Sequence, residues 1–164
     1  MGYNTAAWTG LGEALAAAAG ALAGLLFVAV SLKSDVLARS RNLSSRAAQA
    51  LVLFMISVLA GLLTAAPQPA RALGAELLAL AAAAGAVLVT LDRRAGQAEE
   101  AAGKAASYIE RFAPNMITAA LVGIAGLSLL THFGGGLYWL LPAAVSSLVG
   151  GVTTAWLFLV RITG

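Results

Sequence analysis

The chain has 164 residues, of which 60% are hydrophobic and only 10% are charged. A water-soluble domain usually has about 25% charged residues, so this composition excludes a soluble globular protein and indicates a compact membrane protein. The chain has no cysteine and one histidine, which excludes disulfides, thiolate metal sites and a bis-histidine haem or multi-histidine centre within one chain.

Five apolar stretches follow one another along the chain, each close to the roughly 20 residues that a helix needs to cross a bilayer. They are rich in alanine and leucine and lack the alternation typical of a strand, so we predict helices. Backbone polar groups in lipid must be bonded within their own segment. The sequence therefore predicts an all-α fold, a single transmembrane domain in which five helices form a bundle. The predicted spans are 8–32, 47–66, 72–91, 114–131 and 137–160.

Short polar or turn-forming segments separate the predicted spans. Segment 33–46 follows the first span, and segment 92–113 follows the third and is expected to remain helical. Pro67 and Pro69 end the second helix because proline cannot continue it. Glycines 134–136 form the turn before the last helix.

The cations predict how the chain is threaded. With five spans, alternate connections share a side, and Arg71 is then the one cation on its side. By the positive-inside rule, we predict a multi-pass protein of the cell inner (plasma) membrane, with its N-terminus outside and its C-terminus cytoplasmic. The net charge is +3, but the cations are not clustered in the basic stripe that is typical of a nucleic-acid-binding protein. The cations predicted on the cytoplasmic side are Lys33, Arg39, Arg41, Arg46, Arg93, Arg94, Lys104, Arg111 and Arg161.

Small residues recur at four-residue spacing in three of the predicted helices, which places each set on one helix face. Such residues allow helices to approach closely in lipid. They predict either packing within one chain or the seam of a homo-oligomer. The residues are Gly12, Ala16, Gly20 and Gly24 in the first helix, Ala119 and Gly123 in the fourth, and Ser147 and Gly151 in the fifth.

The six-residue run AAAAGA occurs twice, at 16–21 and 81–86, each time after a glutamate. Two parallel hairpins followed by a fifth helix would explain this repeat. Chance recurrence in alanine-rich sequence is the alternative.

Two intramembrane carboxylates, Glu13 and Glu76, are predicted at a similar depth below the outer surface. Arg71 and His132 belong to the same outer layer. Ionisable residues inside a membrane are costly and are candidates for function. The four residues predict either an ion pathway or a structural polar cluster in which Arg71 neutralises one carboxylate.

Two further sets of polar residues are the cations after the first span and the hydroxyl groups within the helices. The cations Lys33, Arg39, Arg41 and Arg46 are predicted to contact anionic lipids or a protein partner. Hydroxyls such as those of Thr118, Ser128 and Ser146 are expected to bond to the preceding helical turn. No catalytic or nucleotide-binding motif is present, so we expect no enzyme activity, no cofactor and no metal.

The first half of the chain carries a pattern of its own. Ala18–Leu32 reads AAGALAGLLFVAVSL and is followed by Asp35, Arg46-Ala47, Pro67 and Gly74-Ala75-Glu76-Leu77, with Trp8 upstream. This pattern resembles an uncharacterised family of small multi-span membrane proteins from high-GC Gram-positive bacteria. Some members of that family are labelled modulators of a membrane-anchored AAA protease. The resemblance implies a role for Glu76 and no established activity.

Two functions from different classes are consistent with the sequence. The first is a homo-oligomeric channel-like or transporter-like protein for small ions, with Glu13 and Glu76 at its outer mouth. The second is a non-conducting regulatory or scaffold protein that binds a membrane or cytoplasmic partner through its cytoplasmic segments.

Overall fold

A computed structural model describes the backbone of residues 5–32, 34, 41–100 and 108–163, and the side chains of 5–32, 34, 44–93, 116–153, 155 and 156. Within these ranges the chain forms five α-helices and no strand, which confirms the predicted all-α fold. Short 3-10 helices, Thr5–Trp8 and Gly136–Trp139, precede the first and the last of them. The helices are α1 (Thr9–Leu32), α2 (Arg41–Ala65), α3 (Ala70–Glu100), α4 (Tyr108–Thr131) and α5 (Leu140–Thr163).

Four of the helices are long and apolar enough to cross a membrane. α4 contributes a shorter apolar segment, Met116–Thr131, within the part of the chain whose side chains are described. The fold is therefore that of an integral membrane protein. The four candidate spans are Thr5–Leu32, Ser44–Ala65, Ala70–Arg93 and Gly136–Thr153.

Two helices extend beyond their apolar stretches. α2 begins at Arg41, so the helix already includes the last six residues of the polar segment 33–46. α3 continues to Glu100, as expected for the polar segment that begins at Asp92. Hydropathy predicts where a chain leaves lipid, whereas backbone hydrogen bonding decides where a helix ends, so the two limits differ.

Helices α2, α3, α4 and α5 form a closed ring in which each packs against two neighbours, while α1 lies outside and packs mainly against α2. Leucine side chains from all four helices fill the centre of the ring. The largest of these fully buried side chains are Leu53, Leu73, Leu77, Leu88, Leu129 and Leu140.

Two helix pairs cross at glycines. A Cβ atom on Gly61 of α2 would lie 2.6 Å from the carbonyl oxygen of Gly12 in α1. Likewise, a Cβ atom on Gly126 of α4 would lie 2.7 Å from the carbonyl oxygen of Gly74 in α3. Each pair forms an antiparallel hairpin with its crossing at the same end of the bundle, so two similar hairpins precede α5, as the repeat suggested. The AAAAGA runs themselves are not equivalent, because they start four residues after Gly12 and seven residues after Gly74.

The crossing glycines lie near the end of the bundle that holds the Pro67–Pro69 turn, here called the proline end. The Pro69 carbonyl accepts the first hydrogen bond of α3, from the amide of Leu73 at 3.1 Å. His132 leaves α4 with a φ of 56°, and three glycines with positive φ follow it. Because an L side chain rarely adopts such φ values, this run of glycines is what permits the sharp turn into α5.

Candidate functional site

The predicted outer layer lies at the proline end, but the structure does not assemble it into a cluster. Glu13, Arg71, Glu76 and His132 are all exposed. Among the described residues, none of these four side chains pairs with another. The interpretation in which Arg71 neutralises one carboxylate is therefore wrong for a single chain. The physical reason is that all four side chains project outward, whereas the buried polar groups of this end, such as Thr64 and Ser128, are uncharged.

Gln68 is the polar side chain that organises this end, and it was not among the predicted site residues. Its Nε2 atom donates to the Glu76 carboxylate at 2.8 Å and to the Leu63 carbonyl at 2.9 Å. The backbone carbonyl of Gln68 accepts a hydrogen bond from the hydroxyl of Thr5 at 3.3 Å. Gln68 thus connects the end of α2, the start of α3 and the residues before α1. The flanking prolines were its only signal in the sequence.

An aromatic pair lies at the same end. The rings of Trp8 and Tyr138 meet edge to face, with their centroids 4.7 Å apart. The indole nitrogen of Trp139 donates to the Gly134 carbonyl at 2.7 Å. Tryptophan and tyrosine are typical of membrane–water interfaces, so these contacts fit an interfacial position for the proline end.

The predicted small-residue faces divide into inward and outward parts. Gly12 and Ala16 lie in the crossing with α2, whereas Gly20 and Gly24 are exposed. The prediction of one unbroken packing face on α1 is therefore wrong within the chain. The buried face of α1 contains Gly12, Leu15, Ala19 and Leu26, because a helix crossing at an angle contacts its neighbour at mixed three- and four-residue intervals.

The small residues of α4 and α5 all face other helices. Ala119 is buried, and a Cβ atom on Gly123 would lie 3.5 Å from Ala81 in α3. Ser147 is completely buried. A Cβ atom on Gly151 would lie 2.5 Å from the ring of Phe54, so this glycine makes room for the phenyl ring.

The predicted basic surface is only partly within the described residues. Lys33 and Arg39 lie outside them, and so does the side chain of Arg41. Arg46 is half-buried in α2 and its Nη2 atom is buried, so only part of this side chain is open to lipid or to a partner. The reason is that the first turns of α2 already pack into the bundle, where Ala47 and Ala50 are buried.

Hydroxyl groups link α5 to its two neighbours in the ring. The Oγ atoms of Ser57 and Ser147 are 2.5 Å apart, and Ser147 also donates to the Leu53 carbonyl at 2.9 Å. On the other side of α5, the hydroxyls of Ser146 and Thr118 are 3.0 Å apart. These bonds satisfy polar groups within the apolar core, so adjacent serines of α5 hold it to α2 and α4.

The expectation that hydroxyls bond to the preceding helical turn holds for one of the three residues named above. Ser146 bonds to the Ala143 carbonyl at 2.9 Å, in the preceding turn of its own helix. Ser128 instead accepts from the amide of Gly136 at 2.7 Å and donates to the Phe133 carbonyl. Thr118 bonds across to α5. Residue type alone did not distinguish bonds within a helix from bonds to another segment.

A second polar contact lies at the opposite end of the bundle, between α2 and α3. The Nε2 atom of Gln49 donates to Oδ1 of Asp92 at 2.5 Å. Both side chains are buried, with 8% and 7% of their surfaces exposed. Asp92 was predicted at the start of a cytoplasmic segment, and no role was predicted for Gln49. Their separation by 43 positions in sequence left no local signal for this contact.

The structure also contains a small cleft, with room for about one water molecule, between α1, α2, α4 and α5. Apolar side chains such as those of Leu15, Ile56 and Val122 line most of it, together with the hydroxyls of Ser57 and Thr118. Because both hydroxyls already bond to serines of α5, the cleft offers no free polar group to orient a ligand.

Within the described part of the chain, no group of three or more histidine, aspartate or glutamate side chains is arranged to hold a metal ion. In comparisons with protein-family models, curated proteins and solved structures, nothing matched this chain. The resemblance to a family of small bacterial membrane proteins stays a prediction.

Proposed function

We propose that this protein is a non-conducting membrane scaffold that associates laterally with other membrane helices. The observation that carries the proposal is the filled ring: the leucines at its centre are completely buried. The serine hydroxyls beside them bond to each other and to the Leu53 carbonyl. An ion crossing lipid needs a hydrated or polar path, which this packing does not offer among the described residues of one chain.

α1 is the surface that we propose for association. It lies outside the ring. In its most apolar stretch of 18 residues, only 17% of the residues are buried inside the chain. At Gly12 the backbone of α2 already packs directly against this helix. Gly20 and Gly24 would permit the same approach on the outward side, where a helix of a second copy or of another membrane protein would lie. The cytoplasmic segments 33–46 and 92–113 would add contacts to that partner or to anionic lipids.

Ion conduction between subunits of a homo-oligomer is the competing function. The exposed positions of Glu13 and Glu76 at one end of the bundle favour it, because both carboxylates could then face a shared outer mouth. It requires an assembly in which the pore lies outside the filled ring.

Ion flux distinguishes the two functions. We expect proteoliposomes that contain the purified protein to release entrapped K⁺ and H⁺ no faster than protein-free vesicles. The double variant Glu13→Gln, Glu76→Gln is the matched control and should behave identically. Flux above that of empty vesicles that falls in the double variant would instead establish conduction.

Photo-crosslinking tests the association directly. A photoreactive residue at Gly24 should capture a protein chain in the native membrane, whereas the same residue at Leu88 should yield only internal crosslinks because Leu88 is completely buried. Capture of lipid alone at Gly24 would contradict the scaffold proposal.

We also propose the threading that the cations predict, with the proline end outside the cell. Because the chain has no cysteine, single-cysteine variants give an unambiguous test. Phe133→Cys replaces a side chain that is 84% exposed at the proline end, and Ser34→Cys lies beyond the other end of α1. In intact cells, a membrane-impermeant maleimide should label Cys at 133 and spare Cys at 34. The reverse pattern, or labelling of both, would refute this threading.

A further inference from the structure

We propose that Asp92 binds a proton, and that the neutral Asp92–Gln49 pair fastens α3 to α2 at the end of the bundle opposite the prolines. This site is independent of the proposed scaffold function and does not involve α1. The ligand of this site is a single proton, which exchanges with the aqueous phase next to the membrane.

Asp92 is enclosed between two helices. Asp92 exposes 7% of its surface, and both atoms of its contact with Gln49 are enclosed between the two helices. Its Oδ2 atom is also buried and accepts no hydrogen bond from any described residue. An ionised carboxylate in a buried site needs several donors or a cation to replace its hydration, whereas a neutral carboxyl group needs far less.

The partner that the structure gives Asp92 is neutral. The amide of Gln49 donates a single hydrogen bond to Oδ1, which suits a carboxylic acid as well as a carboxylate. It does not supply the positive charge that would balance an anion in this environment.

The charged groups on the surrounding elements are few among the described side chains. Arg46 lies one turn before Gln49 on α2 and is half-buried, and Arg93 is exposed on α3. The described side chains of α4 and α5, at 116–131, 140–153, 155 and 156, include no charged residue. The side chains of Glu110 and Arg111 in α4 and of Arg161 in α5 lie outside the described residues.

Stability against pH gives the first test, on the full chain in lipid nanodiscs. If the folded state holds a proton on Asp92, then above about pH 4, where an unfolded aspartate loses its proton, the folded state binds more protons than the unfolded state. The folding equilibrium constant should then fall with rising pH, by up to tenfold per pH unit.

The variant Asp92→Asn should remove this pH dependence, because asparagine is a neutral isostere that still accepts from Gln49. Asp92→Asn should also be at least as stable as the wild type at high pH. If Arg46 instead balances an ionised Asp92, Asp92→Asn will be less stable than the wild type at neutral and high pH, and that result would overturn the proposal. The control Arg93→Gln, at the adjacent exposed position, should keep the wild-type pH dependence.

A second measurement does not depend on how well any Asp92 variant folds. The chain has two aspartates, Asp35 and Asp92, so ¹³C-aspartate in an Asp35→Asn background labels Asp92 alone. Infrared spectroscopy at neutral pH should show the labelled carbonyl of a protonated acid. A labelled band at the carboxylate position would refute the proposal, whatever the stability data show.

Discussion

Replacing Phe54 by alanine is expected to cause the largest loss of stability of any single substitution considered. The phenyl ring is 1% exposed and packs with Leu26 of α1 and against Leu148 of α5, so its removal leaves a cavity between three helices. Phe→Ala substitutions cost about 3–5 kcal/mol in water-soluble cores. In a membrane protein the transfer part of that cost is small, because the separated helices remain in lipid. We therefore expect a loss of about 2–3 kcal/mol, mainly from lost contacts.

The neighbouring residue supplies the control for this prediction. Met55 follows Phe54 on the same helix but is 50% exposed and faces outward. Met55→Ala should change the free energy of unfolding by no more than about 0.5 kcal/mol. The measurement is reversible unfolding in mixed micelles, followed by far-ultraviolet circular dichroism. Equal losses in the two variants would mean that α2 is not oriented as described.

The second large effect is expected at the crossing of α1 and α2. In Gly61→Ala the new methyl group would lie 2.6 Å from the Gly12 carbonyl oxygen and 2.8 Å from the amide nitrogen of Ala16. Both neighbours are backbone atoms, so the helices themselves must separate. Overpacking of this kind costs about 1–3 kcal/mol.

Gly24→Ala is the matched control for this crossing. Nothing lies within 4 Å of a Cβ atom at Gly24, so the added methyl group meets no other part of the chain. Removing a glycine from a helix interior should then raise stability by about 0.5–1 kcal/mol. The two alanine variants should therefore differ in sign under the same unfolding assay. A loss at Gly24 similar to that at Gly61 would show that Gly24 packs against another subunit in the micelle.

The sequence predicted the helices well, because an uninterrupted apolar stretch of bilayer length has few alternatives to a helix. It predicted helix faces less well. Gly20 and Gly24 continue the four-residue spacing of Gly12, yet the crossing angle leaves Gly20 at the edge of the contact, where a Cβ atom would lie 4.0 Å from Val58, and Gly24 outside it. Spacing along one helix contains no information about the angle at which its partner crosses, so the outcome could be known only from the packed bundle.

The polar contacts between helices could not be predicted from the sequence for a related reason. In lipid-spanning segments both the core and the outer surface are apolar, so hydropathy does not show which side of a helix is buried. Ser147 was noted for its size, but its bonds to Ser57 and the Leu53 carbonyl join segments about 90 residues apart. Gln49 and Asp92 look like the polar ends of two spans until the helices are placed side by side.

The position of α5 has a consequence for synthesis. During translation α2, α3 and α4 enter the membrane before the serines of α5 exist, so the hydroxyls of Ser57 and Thr118 have no partners from that helix. The ring is therefore complete only after α5, which contacts both α2 and α4, has entered the membrane. Until then these hydroxyls can bond to carbonyls of their own helices, so the polar bonds between helices form only at the last step of assembling the ring.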